Sequence, residues 1–128
     1  MATAADYMTR EVILLSPTTR VHDALRLLLA NDISGAPVVD ERGEVAGMLT
    51  GRDVIGAIFH ASYHKDLGGP VEAYMSRDVQ TVDAETDVMA VIELFKKSRF
   101  RRFPVLAGTR LVGVISRRDV MRAIEELW

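Results

Sequence analysis

The chain contains no cysteine, which excludes disulfides and thiolate metal sites and makes a reducing cytosol its natural home. Aromatic residues are scarce at 6%, and purely apolar runs last only a few residues, as in Leu27-Leu28-Leu29-Ala30. A membrane span needs about 20 predominantly apolar residues, so none is expected. Residues 1–10 lack the apolar stretch of a secretion signal. Against these absences stand 128 residues that are 48% apolar and 27% charged. That length suits one domain or two small units sharing a core, and that composition argues against intrinsic disorder. Folding should remove roughly two thirds of the extended chain's surface from water, enough to stand without staples.

A formal net charge of −2 hides a strong segregation. Residues 96–122 carry nine basic side chains (Lys96, Lys97, Arg99, Arg101, Arg102, Arg110, Arg117, Arg118 and Arg122) and one acid, Asp119. Such a patch attracts an anionic partner: phosphates of a small ligand, nucleic acid or an acidic protein surface.

The chain also repeats itself. An offset of 67 places Tyr7-Met8 on Tyr74-Met75, Val21 on Val88 and Pro37-Val38-Val39 on Pro104-Val105-Leu106. One residue then drops out in a turn, and an offset of 66 places Gly47 on Gly113, Thr50 on Ser116 and Asp53 on Asp119. A single gap confined to a turn is the mark of a duplication. The expected division is residues 1–61, a linker over residues 62–70 where Gly68-Gly69-Pro70 halts any helix, and residues 71–128.

Each repeat reads as β-α-β-β-α, a mixed α/β class. The first strands are expected at Val12-Ile13-Leu14-Leu15 and Val79-Gln80-Thr81-Val82. Ser16-Pro17-Thr18-Thr19 offers capping hydroxyls before a helix carrying Val21, Leu25, Leu28 and Leu29; its copy starts from Asp83 and Thr86. Hairpins follow, Ala36 to Val39 with Val45 to Leu49, and Phe103 to Leu106 with Leu111 to Ile115. Closing helices begin after Thr50 and Ser116. Two such units, each marginal alone, can cover each other's sheets about a pseudo-two-fold axis, with a ligand cleft between them.

The signature shared by both copies is Gly-h-h-Ser/Thr-x-x-Asp (h apolar), leaving a strand and entering a helix: Gly47, Thr50 and Asp53, then Gly113, Ser116 and Asp119. Gly47 and Gly113 lack a Cβ, so another backbone or a flat ring can approach. Thr50 and Ser116 set a hydroxyl where a helix N-terminus favours phosphate. An ionised Asp53 or Asp119 is an acceptor-only group suited to both hydroxyls of a ribose. The same spacing is also a capping box, in which hydroxyl and acid satisfy backbone donors and bind nothing. The sequence leaves both readings open.

Together with Ile33-Ser34-Gly35-Ala36-Pro37 and Phe100-Arg101-Arg102-Phe103-Pro104, this signature resembles the CBS domain, named after cystathionine β-synthase. The chain looks like one tandem pair of these domains (a Bateman module) with no further domain expected. The resemblance implies a regulatory receptor for adenosine-containing ligands: AMP, ADP, ATP, S-adenosylmethionine or a dinucleotide, with or without magnesium. It implies no catalytic cofactor, a disc-like homodimer formed through helices, and relay of binding to a partner protein. Carried over, one site would use Ser116 and Asp119 with Thr9, Ile13, Ile33 and Ser34. The related site would use Thr50 and Asp53 with Ser76, Gln80, Phe100 and Arg101. Phosphates would lie near Arg52, Arg101, Arg102, Arg117 and Arg118.

The copies differ: Arg101-Arg102 replaces Ser34-Gly35, and Arg117 replaces Gly51. Converging arginines favour a di- or triphosphate, although arginines also lie along a sheet edge or a dimer surface with no ligand. Val54, Ile58, Val120 and Ile124 are the helix positions expected at the dimer contact. Other features carry less. His60 and His64 have the spacing of a helical metal pair, with Asp66 near, but the third histidine, His22, is not nearby in sequence. Gly47 and Gly51 lack the lysine of a P-loop, no histidine sits beside a nucleophile, and no enzyme activity is expected. The six methionines read as core filler, and Trp128 packs on the module or on a partner. A purely structural dimerisation module and nucleic-acid binding through the arginine-rich half remain the alternatives, the latter without a recognised reading motif.

Overall fold

The computed structural model describes residues 1–64 and 68–128. Residues 65–67 of the expected linker, Asp66 among them, and the side chains of Ser62, Tyr63 and His64 lie outside the described residues. The chain forms two compact units: a continuous one, Ile13–Val79, and a split one, Met1–Val12 with Gln80–Trp128. Each repeat therefore contributes its opening residues, 1–12 or 71–79, to the unit built mainly by the other repeat.

In the continuous unit, Ser16-Pro17-Thr18-Thr19 closes a turn on itself. The Thr19 amide donates to the Ser16 carbonyl, and the Ser16 amide to the Thr19 hydroxyl, both at 3.0 Å. With those hydroxyls committed, helix α2 (Val21–Ala30; α1, Ala4–Tyr7, is in the split unit) has Arg20 at its N-cap and no side-chain cap. The Gly69 carbonyl substitutes, accepting from the Val21 amide at 3.0 Å. Val21, Ala24 and Leu28 form the buried stripe of α2, each large member contributing about 1.5–3 kcal/mol through burial. The helix stops at Asn31, whose side chain bonds back to the Leu27 carbonyl at 2.8 Å, followed by Asp32 at a left-handed φ of 51°.

Strands β1 (Gly35–Val39) and β2 (Val45–Thr50) pair antiparallel, with Val38 opposite Gly47 and an irregularity at Val38/Val39. The Asp40 carboxylate accepts the Arg42 and Glu44 amides at 2.9 and 3.0 Å and shapes the turn. Helix α3 (Gly51–His64) follows directly. Leu15 flanks β1 through a parallel bridge to Val38, and Ser76 flanks β2 through an antiparallel bridge to Met48. The core gathers Leu15, Val21, Leu28, Val38, Leu49, Val54, Val71 and Met75.

The split unit repeats this plan. Helix α1 (Ala4–Tyr7) begins with a Thr3/Asp6 capping box. Strand β3 (Val82–Asp83) pairs parallel with β4 (Arg102–Ala107), which pairs antiparallel with β5 (Arg110–Ser116). Thr9 then flanks β5 through a bridge to Val114. Helix α4 (Val88–Lys97) is capped by Asp87, whose carboxylate accepts the Met89 amide at 2.9 Å. Asp83 and Thr86, expected to start α4, lie before it: Asp83 closes a turn by accepting the Glu85 amide at 2.9 Å. Helix α5 (Arg117–Leu127) completes the unit. Its core centres on fully buried Phe103, with the Phe95 ring centroid 4.5 Å away and Phe100 edge-on at 6.4 Å.

Two further expectations change. The opening strands reduce to Leu15 alone and to Val82–Asp83. The chain passes from one unit to the other at 12/13 and at 79/80, and Leu14 is 49% exposed, so these apolar-looking stretches have a ladder partner only at their ends. Val54 and Val120, expected at a dimer contact, are buried in their own units beside Ala57 and Ala123. The outward apolar residues are Ile55, Ile58 and Phe59 on α3, and Met121, Ile124, Leu127 and Trp128 at α5. No helix among the described residues is long and apolar enough to cross a membrane.

Candidate functional site

Both strand-to-helix junctions fold into the same box. At β2–α3, one carboxylate oxygen of Asp53, Oδ2, accepts the Thr50 amide at 2.8 Å and the Thr50 hydroxyl at 3.0 Å, while the Asp53 amide donates to that hydroxyl at 3.3 Å. At β5–α5, Asp119 Oδ2 accepts the Ser116 amide at 2.9 Å and its hydroxyl at 3.1 Å, and the Asp119 amide returns a bond at 3.2 Å. The reciprocal bonds satisfy first-turn donors that a helix otherwise leaves open.

The first amide of each helix is also taken. Gly51 donates to the Ser34 carbonyl at 2.8 Å, and Arg117 to the Arg101 carbonyl at 3.1 Å. The helix ends are thus less open to phosphate than the spacing implied: among the described residues, the Arg52 and Arg118 amides remain as first-turn donors. Capping and ligand binding are nevertheless compatible, because the box occupies only Oδ2. Asp53 Oδ1 has no hydrogen-bond partner among the described residues.

The glycines before the boxes are occupied by backbone rather than by open space. A Cβ on Gly47 would lie 2.7 Å from the Ser76 carbonyl oxygen and from Met75 Sδ; one on Gly113 would lie 2.8 Å from the Thr9 oxygen and 2.6 Å from Met8 Sδ. Of the two partners expected for a bare strand face, another backbone is the one present.

The structure brings Thr9 to Asp119: its hydroxyl lies 3.4 Å from both carboxylate oxygens. Ser76 occupies the corresponding place in the continuous unit, exchanging 2.9 Å bonds with the Met48 backbone. Ile13, Ile33, Ser34 and Arg52 also belong to the continuous unit; Ile33 packs against its core, and Ser34 and Arg52 are exposed. Gln80, Phe100, Arg101, Arg102, Arg117 and Arg118 belong to the split unit. The Gln80 side chain bonds the Thr81 carbonyl at 3.0 Å. Phe100 packs against the core and carries the Arg99 guanidinium 5.8 Å above its ring.

The whole basic run of residues 96–122 lies in the split unit. Burial, and then the charge of Arg101, holds the Arg102 guanidinium below its ordinary pKa; Arg101, Arg117 and Arg118 are exposed. Arg122 was not among the sequence-derived site residues. Its Nη2 lies 3.5 Å from Asp119 Oδ1 and donates to the Tyr7 carbonyl at 3.1 Å. The i, i+3 spacing from Asp119 was the available signal. Of the other features, the His60 ring meets Tyr74 edge-on at 6.0 Å. Among the described residues no group of three or more His, Cys, Asp or Glu side chains is placed to hold a metal ion.

Each junction offers a carboxylate held in fixed orientation, which suits a vicinal diol, and the exposed guanidinium groups of the split unit suit an anion. The structure is similar to that of CBSX2, a CBS-pair protein of Arabidopsis thaliana, in complex with AMP. The TM-score is 0.88 at 28% identity, covering 99% of this chain and 98% of that one. A 17.7 kDa protein of Acidianus ambivalens is 29% identical over 117 residues, which are 91% of this chain and 69% of that protein. The A-adding tRNA nucleotidyltransferase of Geobacter sulfurreducens is 35% identical over 122 residues, 94% of this chain but 13% of that enzyme. The family model of the CBS domain matches twice, at residues 4–60 and 71–126. The chain therefore belongs to the CBS-domain family, as a tandem pair of these domains.

Proposed function

We propose that the chain is a regulatory receptor for an adenosine-containing nucleotide (AMP, ADP or ATP) and that it relays binding to a partner protein. The observation carrying this reading is the boxed carboxylate at both strand-to-helix junctions, with Asp53 keeping an oxygen unpartnered among the described residues. The AMP complex of the similar CBSX2 supports the adenosine class. In this reading Asp53 and Asp119, with Thr50 and Ser116, are the ribose-side groups. Arg52, Arg101, Arg102, Arg117 and Arg118 attract the phosphates. Thr9, Ile13, Ile33, Ser34, Ser76, Gln80 and Phe100 are the candidates for contact with the base. Magnesium, where present, would arrive with the polyphosphate. Binding biases a partner-facing conformation only by the difference in affinity between two states.

A thermal-shift series with AMP, ADP, ATP, S-adenosylmethionine and NAD tests the reading. A ligand at 100 times its Kd stabilises by about 2.7 kcal/mol, a shift of several degrees in a chain this size. The absence of a shift with all five overturns it. Binding that ignores free ATP and falls steeply with salt would favour nucleic acid instead.

Self-association is the second reading. Ile55 and Phe59 on α3 are 73% and 68% exposed, and Met121 and Trp128 at α5 are 66% and 70% exposed. Such apolar helix surface fits a second copy of the chain. A monomer mass by light scattering at high concentration would refute it.

A further inference from the structure

The two boxes differ in what engages the second carboxylate oxygen. Asp119 Oδ1 faces the Arg122 guanidinium at 3.5 Å, and the Thr9 hydroxyl lies 3.4 Å from both of its oxygens. The two Ser116 donors make the short bonds, both to Oδ2, and Arg122 and Thr9 stand at longer range over the acceptor positions that remain. The Asp119 side chain is only 7% exposed. Arg122 is itself fixed, because the nitrogen facing Asp119 also donates to the Tyr7 carbonyl.

The repeat offset places Gly56 where Arg122 stands and Ser76 where Thr9 stands. Asp53 consequently receives hydrogen bonds from Thr50 and from no other described residue. A Cβ at Gly56 would meet no atom within 4 Å, so the missing side chain leaves open space.

We infer that Arg122 is a positioning residue that holds Asp119 in a structural role, leaving Asp53 as the carboxylate that takes the ribose hydroxyls, so that the chain binds one nucleotide tightly rather than two equally. The inference rests on the nucleotide reading above and assigns it to one of two sequence-equivalent sites. A ribose arriving at Asp119 must first displace a guanidinium and the Thr9 hydroxyl. At Asp53 it meets an acceptor already oriented by its cap and displaces no described protein group.

Titration calorimetry with AMP on the full chain tests this in wild type, Asp53→Asn, Arg122→Ala and Gly56→Arg, each checked by a cooperative thermal melt. Asparagine keeps one acceptor oxygen for the Thr50 bonds, so the fold survives that change. The expected wild-type result is one AMP per chain. Asp53→Asn should weaken it about tenfold or more, the scale of a lost hydrogen bond to a charged group. Arg122→Ala should add a second equivalent while leaving the first within about twofold; a merely structural arginine would not change stoichiometry. Gly56→Arg should weaken the first site. Two equal sites in wild type, or Asp53→Asn with unchanged affinity, overturns the inference while the nucleotide reading stands. If wild type gives no heat with AMP and no thermal shift with any of the five ligands, the nucleotide reading falls, and the inference with it.

Discussion

The Thr9 hydroxyl lies 3.4 Å from each carboxylate oxygen of Asp119, 110 residues along the chain. Both distances are long for a hydroxyl–carboxylate bond. The pair therefore orients more than it stabilises, and the backbone bridge between Thr9 and Val114 carries the attachment. Thr9→Val keeps the branched shape and should cost no more than about 1 kcal/mol in urea unfolding.

Asp119→Ala should cost more, because it removes the cap acceptor and leaves the Ser116 amide and the half-exposed Arg122 without the carboxylate that both face. A loss of about 1–3 kcal/mol is expected. Asp119→Asn, which retains an acceptor for Ser116, should recover part of that loss. Urea midpoints of the two variants check the ordering.

Gly47→Ala and Gly113→Ala place a methyl group against backbone carbonyls of Ser76 and Thr9, at 2.7 and 2.8 Å. Methionine sulfur can move aside, but a paired strand carbonyl cannot without breaking its bridge. Each variant should lose about 1–3 kcal/mol, with increased amide exchange at Met48 or Val114. Wild-type stability in either variant would contradict the close approach.

Tyr7 and Glu93 shape opposite ends of the pH profile. The hydrogen bond to Glu126, then burial, then nearby carboxylate charge raise the Tyr7 phenol above its usual pKa. Its stabilisation is complete below about pH 10 and is lost as pH climbs through the raised folded value. Tyr7→Phe should flatten that alkaline limb. Glu93 is lowered, first by its hydrogen bond to Lys97 and then by that charge. Its contribution is present above the ordinary glutamate range and fades as pH falls through the lowered value. The pair is 2.8 Å apart but mostly exposed, so Glu93→Gln should change acid stability only slightly and less in high salt. Denaturant titrations across pH check both signs.

Much of the plan was readable from the chain because its strongest signals are local. The Asp40 to Gly43 turn, the two hairpins and the paired Thr50/Asp53 and Ser116/Asp119 boxes depend on neighbours within a few residues. The outward placement of Val54 and Val120 failed for a different reason. A helix carrying apolar residues at both Val54 and Ile58 does not announce which row meets the sheet; Ala57 and Ala123, small enough for close packing, mark the buried row. At Asp53 the cap does not exclude a ligand, since a carboxylate has two oxygens and the cap engages one. Arg122 was counted in the basic run but not assigned to the site, because its second contact, the Tyr7 carbonyl, is 115 positions distant.

The exchange of opening residues between repeats makes the amino terminus a working part of the carboxyl-terminal half. Trimming the chain back to Ile13 would strip away Ala4 and Met8, which pack into the core around Phe103, and would unpair Val114. Damage from such a deletion should appear far downstream in the gene, around α5, while Ile13–Val79 retains every segment of its own fold.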